Sequence, residues 1–152
     1  MTPQPPDQHP PDYGHPPAFD PEGVRRMLRD DVASMSLGME LVDLGPGTAT
    51  VRMTVRADMV NGHAIGHGGF VFMVADTAFA CACNSWGPVT VAAGADITFL
   101  RPVRAGDVLT AAAYERSKHG RTGLYDVTVE ANGVVIAEFR GRSRTVGTLP
   151  GH

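Results

Sequence analysis

Hydrophobic residues recur at helical spacing near the start of the chain and at alternate positions further on. Asp20, Pro21 and Glu22 follow the order of an N-cap, a proline and an acid in the first turn of a helix. The apolar residues after them have the spacing of one helix face: Val24, Met27, Leu28, Val32 and Met35. We therefore predict a helix over residues 21–34.

Alternation of apolar and polar residues begins near Met39 and predicts strands. Gly45-Pro46-Gly47 is typical of a hairpin between the first strand and a second one that carries Val51, Met53 and Val55. Asn132-Gly133 is the strongest hairpin signal in the chain. Four further strands rich in β-branched or aromatic residues are predicted over residues 89–100, 108–116, 124–130 and 134–145.

Residues 69–86 follow neither pattern because they are almost entirely apolar. The stretch is too long for an ordinary strand and is typical of a helix that is buried on every side. Its two cysteines, Cys81 and Cys83, are expected to be buried, reduced thiols. Because only a curved antiparallel sheet can cover such a helix, we predict an α+β fold in which a sheet is wrapped around it.

Composition limits the domain organisation and the class of partner. Eight of the twelve prolines precede residue 22, so we expect a disordered tail over residues 1–20, one domain over residues 21–147 and a short tail over residues 148–152. The 13 basic and 16 acidic residues give a net charge of -3, which argues against nucleic-acid binding. The first 24 residues contain neither Lys nor Arg and no apolar run, so we expect no signal peptide and a cytoplasmic protein.

Asp76 and the glycine pair Gly68-Gly69 are the residues of the apolar helix that could carry chemistry. A carboxylate in this setting must find a partner, lie at an interface or accept a shifted pKa. A structural role, with an arginine or a backbone donor as partner, remains open. The glycines leave the first amides of the helix uncovered, and these amides could polarise a carbonyl oxygen, although a plain turn is the alternative.

The spacing of these residues suggests a second copy of the chain. Gly68 and Asp76 are eight residues apart, about 12 Å along a helix, so one acyl carbon cannot touch both. Either the two residues act separately, or the helices of two copies lie antiparallel across a two-fold axis, so that Asp76 of one copy faces Gly68 of the other. We predict an obligate dimer with shared sites.

Other polar residues are weaker candidates. Asn61 and His67 flank the glycines and could bind water, fix the loop or transfer a proton. His63 and His67 have the spacing of helical zinc ligands, but Gly62 and Gly66 argue against a helix there, so we expect no metal. Cations that could grip phosphates, or could simply be solvated, lie near the end of the chain: Lys118, Arg121, Arg140, Arg142 and Arg144.

The string of residues 61–69, followed by Asp76, resembles the His-Gly-Gly signature of hotdog-fold acyl-CoA thioesterases, with the phenylacetate-degradation subfamily as the nearest match. The resemblance extends from residue 32 to residue 147. Three further strings carry it: Leu100-Arg101-Pro102, residues 123–127 and Phe139-Arg140-Gly141.

This resemblance implies a sheet wrapped around the helix, a homodimer with shared sites and, usually, a homotetramer. It implies that Asp76 is the nucleophile or general base, that the amide of Gly68 or Gly69 is the oxyanion donor, and that Asn61 positions water or the thioester. His67 would orient the linker. Phenylacetyl or hydroxyphenylacetyl coenzyme A is the implied substrate, and no cofactor is implied beyond the coenzyme A that the substrate carries.

Binding residues are also implied. The phosphates of coenzyme A would lie near Lys118, Arg121, Arg140 and Arg142. The acyl pocket would be walled by Val60, Phe70 and Phe72.

Two other functions are compatible with the same fold. Hotdog hydratases and dehydratases use a histidine with an acid, which His67 and Asp76 could supply. A non-catalytic acyl-CoA sensor is the third possibility, but residues 1–39 offer no basic two-helix module for DNA.

Overall fold

The computed structural model describes residues 18–147, and the predictions for residues 1–17 and 148–152 lie outside the described residues. The first elements of this described part are two helices, α1 (Pro21–Asp30) and α2 (Val32–Ser36), and a central helix, α3 (Gly68–Cys83), follows further along. A short 3-10 turn, Ala57–Met59, precedes α3. The six strands are β1 (Glu40–Gly45), β2 (Thr48–Thr54), β3 (Val89–Phe99), β4 (Val108–His119), β5 (Thr122–Ala131) and β6 (Val134–Gly147).

One antiparallel sheet, in the order β1-β2-β4-β5-β6-β3, contains all six strands. Helix α3 contacts every one of them, which is possible only because the sheet curves around the helix. More than half of the helix is buried, including Val74, Ala75 and Phe79. The predicted fold, a curved antiparallel sheet around one apolar helix, is confirmed.

Local signals account for most element ends. Asp20 caps α1 by accepting a hydrogen bond from the Gly23 amide at 2.9 Å, as its position predicts. Asn132 and Gly133 have φ angles of 54° and 74°, which suit the two-residue turn predicted between β5 and β6. Cys81 and Cys83 are free and buried, as expected, and burial raises the pKa of each thiol to about 12.

Two helix boundaries differ from the prediction. The first helix stops at Asp30 because Asp31, at φ -78° and ψ 88°, leaves the helical region and caps α2 by accepting from the Ser34 amide. Helix α3 ends at Cys83 instead of residue 86. There the Asn84 side chain binds the Thr90 backbone in both directions, at 2.9 and 3.0 Å, which turns the chain into β3.

Candidate active site

The linker between β2 and α3 is tied to the rest of the protein by backbone hydrogen bonds. The His67 amide donates to the Met59 carbonyl at 2.8 Å, and the Gly66 amide donates to the Val103 carbonyl at 2.7 Å. The second bond joins the linker to the connection between β3 and β4. The start of α3 is therefore held in a fixed position by both segments.

Asn61 shapes the loop that precedes this start. Its side-chain oxygen accepts from the His63 amide at 2.9 Å and, more weakly, from the Ile65 amide at 3.4 Å. Its backbone amide donates to the Ile65 carbonyl at 2.8 Å. The carboxamide nitrogen of Asn61 has no partner among residues 18–147, so it is the part of this side chain that can meet a ligand.

His67 caps α3 and in doing so separates the roles of the two glycines. Its Nδ1 accepts the Gly69 amide at 2.9 Å, so this nitrogen carries no proton. The Gly68 amide has no acceptor within the described chain. Of the two amides proposed from the motif, that of Gly68 is the one free to bind an oxyanion.

A groove with a volume of about 480 Å³ opens beside Gly68. The apolar side chains that line it are Ile65, Val71, Phe99, Leu100, Pro102, Val103 and Ile136. A β-carbon on Gly68 would lie 2.9 Å from the ring of Phe99. Glycine at this position therefore lets the aromatic wall approach the helix start closely, and an apolar acyl group in the groove would lie beside the free amide.

The residues predicted as acyl-pocket walls do not line this groove of the single protomer. The ring of Phe70 meets His67 edge-on, and the ring of Phe72 packs against Phe139 at a centroid distance of 5.3 Å. Val60 forms an isolated backbone bridge with Gly66. Sequence reasoning missed Phe99 and Ile136, which the neighbouring strands β3 and β6 bring to the groove.

Asp76 is half-buried on α3, two turns beyond Gly68. It makes no hydrogen bond or ion pair with any residue of the described chain. The polar residue next to it, Thr77, is not its partner, because the Thr77 hydroxyl pairs with the Ser34 hydroxyl at 2.9 Å. Burial, and secondarily the negative charge of Asp31, raises the pKa of the Asp76 carboxyl. The arginine or backbone partner that a purely structural role requires is not found within residues 18–147.

Gly68 and Asp76 do not meet within one protomer. Both lie on the continuous helix α3, so their separation is about 12 Å along its axis. Asp76 also does not line the groove beside Gly68. The geometric condition behind the predicted dimer therefore holds in the structure.

The predicted phosphate-binding cations lie away from this groove. Arg140 makes a two-pronged contact with Asp126, at 2.6 and 2.9 Å, and Arg142 contacts Asp96 at 2.9 Å. Lys118 donates to the Gly120 carbonyl at 3.2 Å, in the hairpin that also carries Arg121. Two of the four cations are thus already paired with carboxylates.

No group of three or more His, Cys, Asp or Glu side chains within residues 18–147 could hold a metal ion. Nor is any helix in this part of the chain long and apolar enough to cross a membrane.

Comparison with known proteins gives a consistent result. The model of the thioesterase superfamily matches residues 63–137. The acyl-coenzyme A thioesterase PaaI of Escherichia coli K12 is 44% identical over 127 residues, which are 83% of this chain and 91% of that protein. The structure of E. coli PaaI superposes with a TM-score of 0.81 at 43% identity, covering 83% of this chain and 92% of that one.

A mutant of the phenylacetic acid degradation protein PaaI from Thermus thermophilus superposes with a TM-score of 0.74. It is 38% identical, and the match covers 76% of this chain and 100% of that one.

Proposed function

The chain belongs to the thioesterase superfamily, and from this membership and the site geometry we propose that it hydrolyses aryl-acetyl coenzyme A thioesters. Phenylacetyl or hydroxyphenylacetyl coenzyme A is the proposed substrate, and the products are the free acid and coenzyme A. One observation carries the proposal: the free amide of Gly68 faces an apolar groove, on the same helix as the unpartnered carboxylate of Asp76. The relatives named for acyl-CoA hydrolysis and phenylacetic acid degradation support this substrate class.

In the proposed mechanism, the thioester carbonyl oxygen accepts a hydrogen bond from the Gly68 amide. The positive end of the α3 dipole stabilises the negative charge that develops on this oxygen. Asp76 either attacks the carbonyl carbon or removes a proton from an attacking water. The carbon–sulfur bond then breaks, and the thiolate leaves and takes up a proton. In the first route, water afterwards hydrolyses the anhydride formed on Asp76.

Each site is proposed to combine the Gly68 of one protomer with the partner's Asp76. Strand β3 supports this arrangement because it forms an edge of the sheet, is 11 residues long and contains neither Pro nor Lys. A long edge strand of this kind is a template for pairing with another strand. Two β3 strands paired across a two-fold axis would join the two sheets and bring the two α3 helices together. The homodimer, its further association into a tetramer and a cytoplasmic location are parts of this proposal.

The hydratase alternative has less support from the geometry. It requires His67 and an acid to act on one substrate, whereas His67 Nδ1 is committed to the Gly69 amide. A neutral imidazole that accepts through Nδ1 carries its proton on Nε2, so His67 in this arrangement has no second free lone pair with which to act as a base.

Release of free thiol tests the proposed reaction. Phenylacetyl, hydroxyphenylacetyl, benzoyl and straight-chain acyl-CoAs would be compared with the unmodified protein and with Asp76→Asn. We expect the aryl-acetyl substrates to be cleaved fastest, and kcat to fall by about 10²–10⁴ in the variant, the contribution typical of a general base. The matched control is an unchanged circular dichroism spectrum of Asp76→Asn.

Two results would overturn the proposal. Without thiol release from any acyl-CoA, the protein would be a hydratase or a binding protein. If Asp76→Asn kept the original rate, the carboxylate would have no catalytic role.

A further inference from the structure

Arg101 lies at the groove beside Gly68, on the connection that follows β3. Its backbone amide and that of Leu100 both donate to the Ile136 carbonyl, at 3.2 and 2.8 Å. The next residue is Pro102, whose ring fixes its own φ angle. The backbone that presents the Arg101 guanidinium is therefore firmly held.

The charge of Arg101 is not neutralised by the described part of the chain. Arg101 forms no ion pair there, unlike Arg140 with Asp126 and Arg142 with Asp96. Among the described residues that line the groove, it is also the only one with a charge, and no carboxylate lies there. An exposed, unpaired guanidinium at the mouth of an apolar groove fits a ligand that is apolar at one end and anionic at the other.

We propose that Arg101 binds a phosphate group of the coenzyme A portion of the substrate, the role that the family resemblance implied for Lys118, Arg121, Arg140 and Arg142. This inference rests on the proposed thioesterase function. A guanidinium binds phosphate oxygens through two parallel hydrogen bonds, whereas the same group paired with an aspartate must first give up that partner. With the acyl group in the apolar groove, the phosphates stay at its exposed mouth, where Arg101 is.

The test compares substrates with and without phosphates. Thiol release would be measured with phenylacetyl-CoA, phenylacetyl-dephospho-CoA and the phenylacetyl thioester of N-acetylcysteamine, which has no phosphate. We expect Arg101→Ala to raise KM for phenylacetyl-CoA about tenfold or more, the loss of one charge-assisted contact, with kcat within about twofold. The kcat/KM for the N-acetylcysteamine thioester should not change, and Arg101→Lys should recover part of the KM.

Arg104→Ala is the matched control. Arg104 is exposed on the same connection and forms no ion pair within the described chain, but it does not line the groove. Arg104→Ala removes the same charge as Arg101→Ala. If both variants raised KM equally, the cause would be a general electrostatic influence, and the inference would be overturned.

Other outcomes are equally distinct. If the Arg101→Ala effect on KM disappears with the dephospho substrate, Arg101 binds the 3′-phosphate; if it persists, Arg101 binds the pyrophosphate. An equal loss with the N-acetylcysteamine thioester would show a structural role and overturn the inference. If the unmodified protein cleaves no thioester at all, it is the proposed function that fails.

Discussion

The two ends of α3 are built in opposite ways. Beyond its C-terminal end, the Trp86 ring nitrogen and the Tyr125 hydroxyl both donate to the same oxygen of Glu115, at 2.8 and 2.6 Å. The Ser85 hydroxyl donates to a helix carbonyl and accepts a backbone amide, at 2.7 and 2.8 Å. At the N-terminal end, the Gly68 amide has no acceptor among residues 18–147 and faces an open groove.

This difference separates a polar cluster that serves the fold from one that can serve a ligand. Burial, and secondarily its bond to Glu115, raises the pKa of Tyr125, so its hydroxyl remains a donor throughout the physiological range. Every polar group of that cluster has its partner inside the protein. The N-terminal end instead leaves a donor free beside an apolar surface, which is the arrangement expected where substrate supplies the missing acceptor.

Among the changes that compare the two ends of α3, removal of the Gly68 amide should give the largest effect. Proline is well tolerated at the first position of a helix, and His67, at φ -64° and ψ 131°, has the backbone conformation that precedes proline. Gly68→Pro should therefore fold, yet lose about 10²–10³ in kcat with the N–H group. Thiol release and the thermal midpoint are the measurements.

Gly68→Ala is the control for this experiment, because it keeps the amide and adds the same β-carbon near Phe99. It should retain most of the activity. Equal losses in the two variants would point to crowding against Phe99 as the cause and would remove the amide from the mechanism.

A change in the polar cluster beyond the C-terminal end of α3 should lower stability and leave the rate almost unchanged. Tyr125→Phe removes the hydroxyl that donates to Glu115, and its loss should lower the free energy of unfolding by about 1–2 kcal/mol while kcat stays within about twofold. Tyr114→Phe is the matched control, since the Tyr114 hydroxyl is exposed and makes no hydrogen bond within the described chain; its effect should stay within about 0.5 kcal/mol. Urea unfolding measures both. A large loss of kcat in Tyr125→Phe would mean that this end also serves catalysis.

The smallest effect in this series is the change in the free energy of unfolding that we expect from Asp76→Asn. The folded protein raises the pKa of Asp76, so it binds this proton more tightly than the unfolded chain does. Ionisation of Asp76 therefore costs stability as pH rises from the unfolded pKa through the folded pKa. At pH 7 the variant should be at least as stable as the unmodified protein, and its advantage should shrink once the pH falls below the folded pKa.

Urea unfolding at several pH values, at one protein concentration, measures this difference. If the unmodified protein is the more stable one at pH 7 and the gap widens with pH, Asp76 has a stabilising partner. That result would favour the structural role that the sequence left open.

The fold was predictable because its signals are local. An apolar stretch without a polar face requires a sheet around it, and Asn132-Gly133 specifies a turn through the φ angles of two adjacent residues. The end of α1 was harder to predict, because the apolar spacing continues through Asp31 to Met35. Only the capping bond of Asp31 divides the helix there.

The candidate site was predictable only in part, because several residues that line its groove are distant in sequence from the Gly68-Gly69 motif. Phe99 and Ile136 share the groove since β3 lies beside β6, and no local pattern specifies that strand order. Whether an arginine is free or paired also depends on register, as with Asp126, which lies directly opposite Arg140. The motif therefore indicated Gly68 and Asp76 as candidates but could not show which cation is available.

Whether two protomers share each site is tested most directly by combining two inactive variants. Asp76→Asn and Gly68→Pro would be co-expressed with different tags, and the mixed assembly isolated by both tags. In a mixed dimer, one site carries both changes and the other carries neither, so we expect about half of the activity of the unmodified dimer. If the mixed assembly is as inactive as its parents, Gly68 and Asp76 do not meet across the two-fold axis and the shared site is wrong.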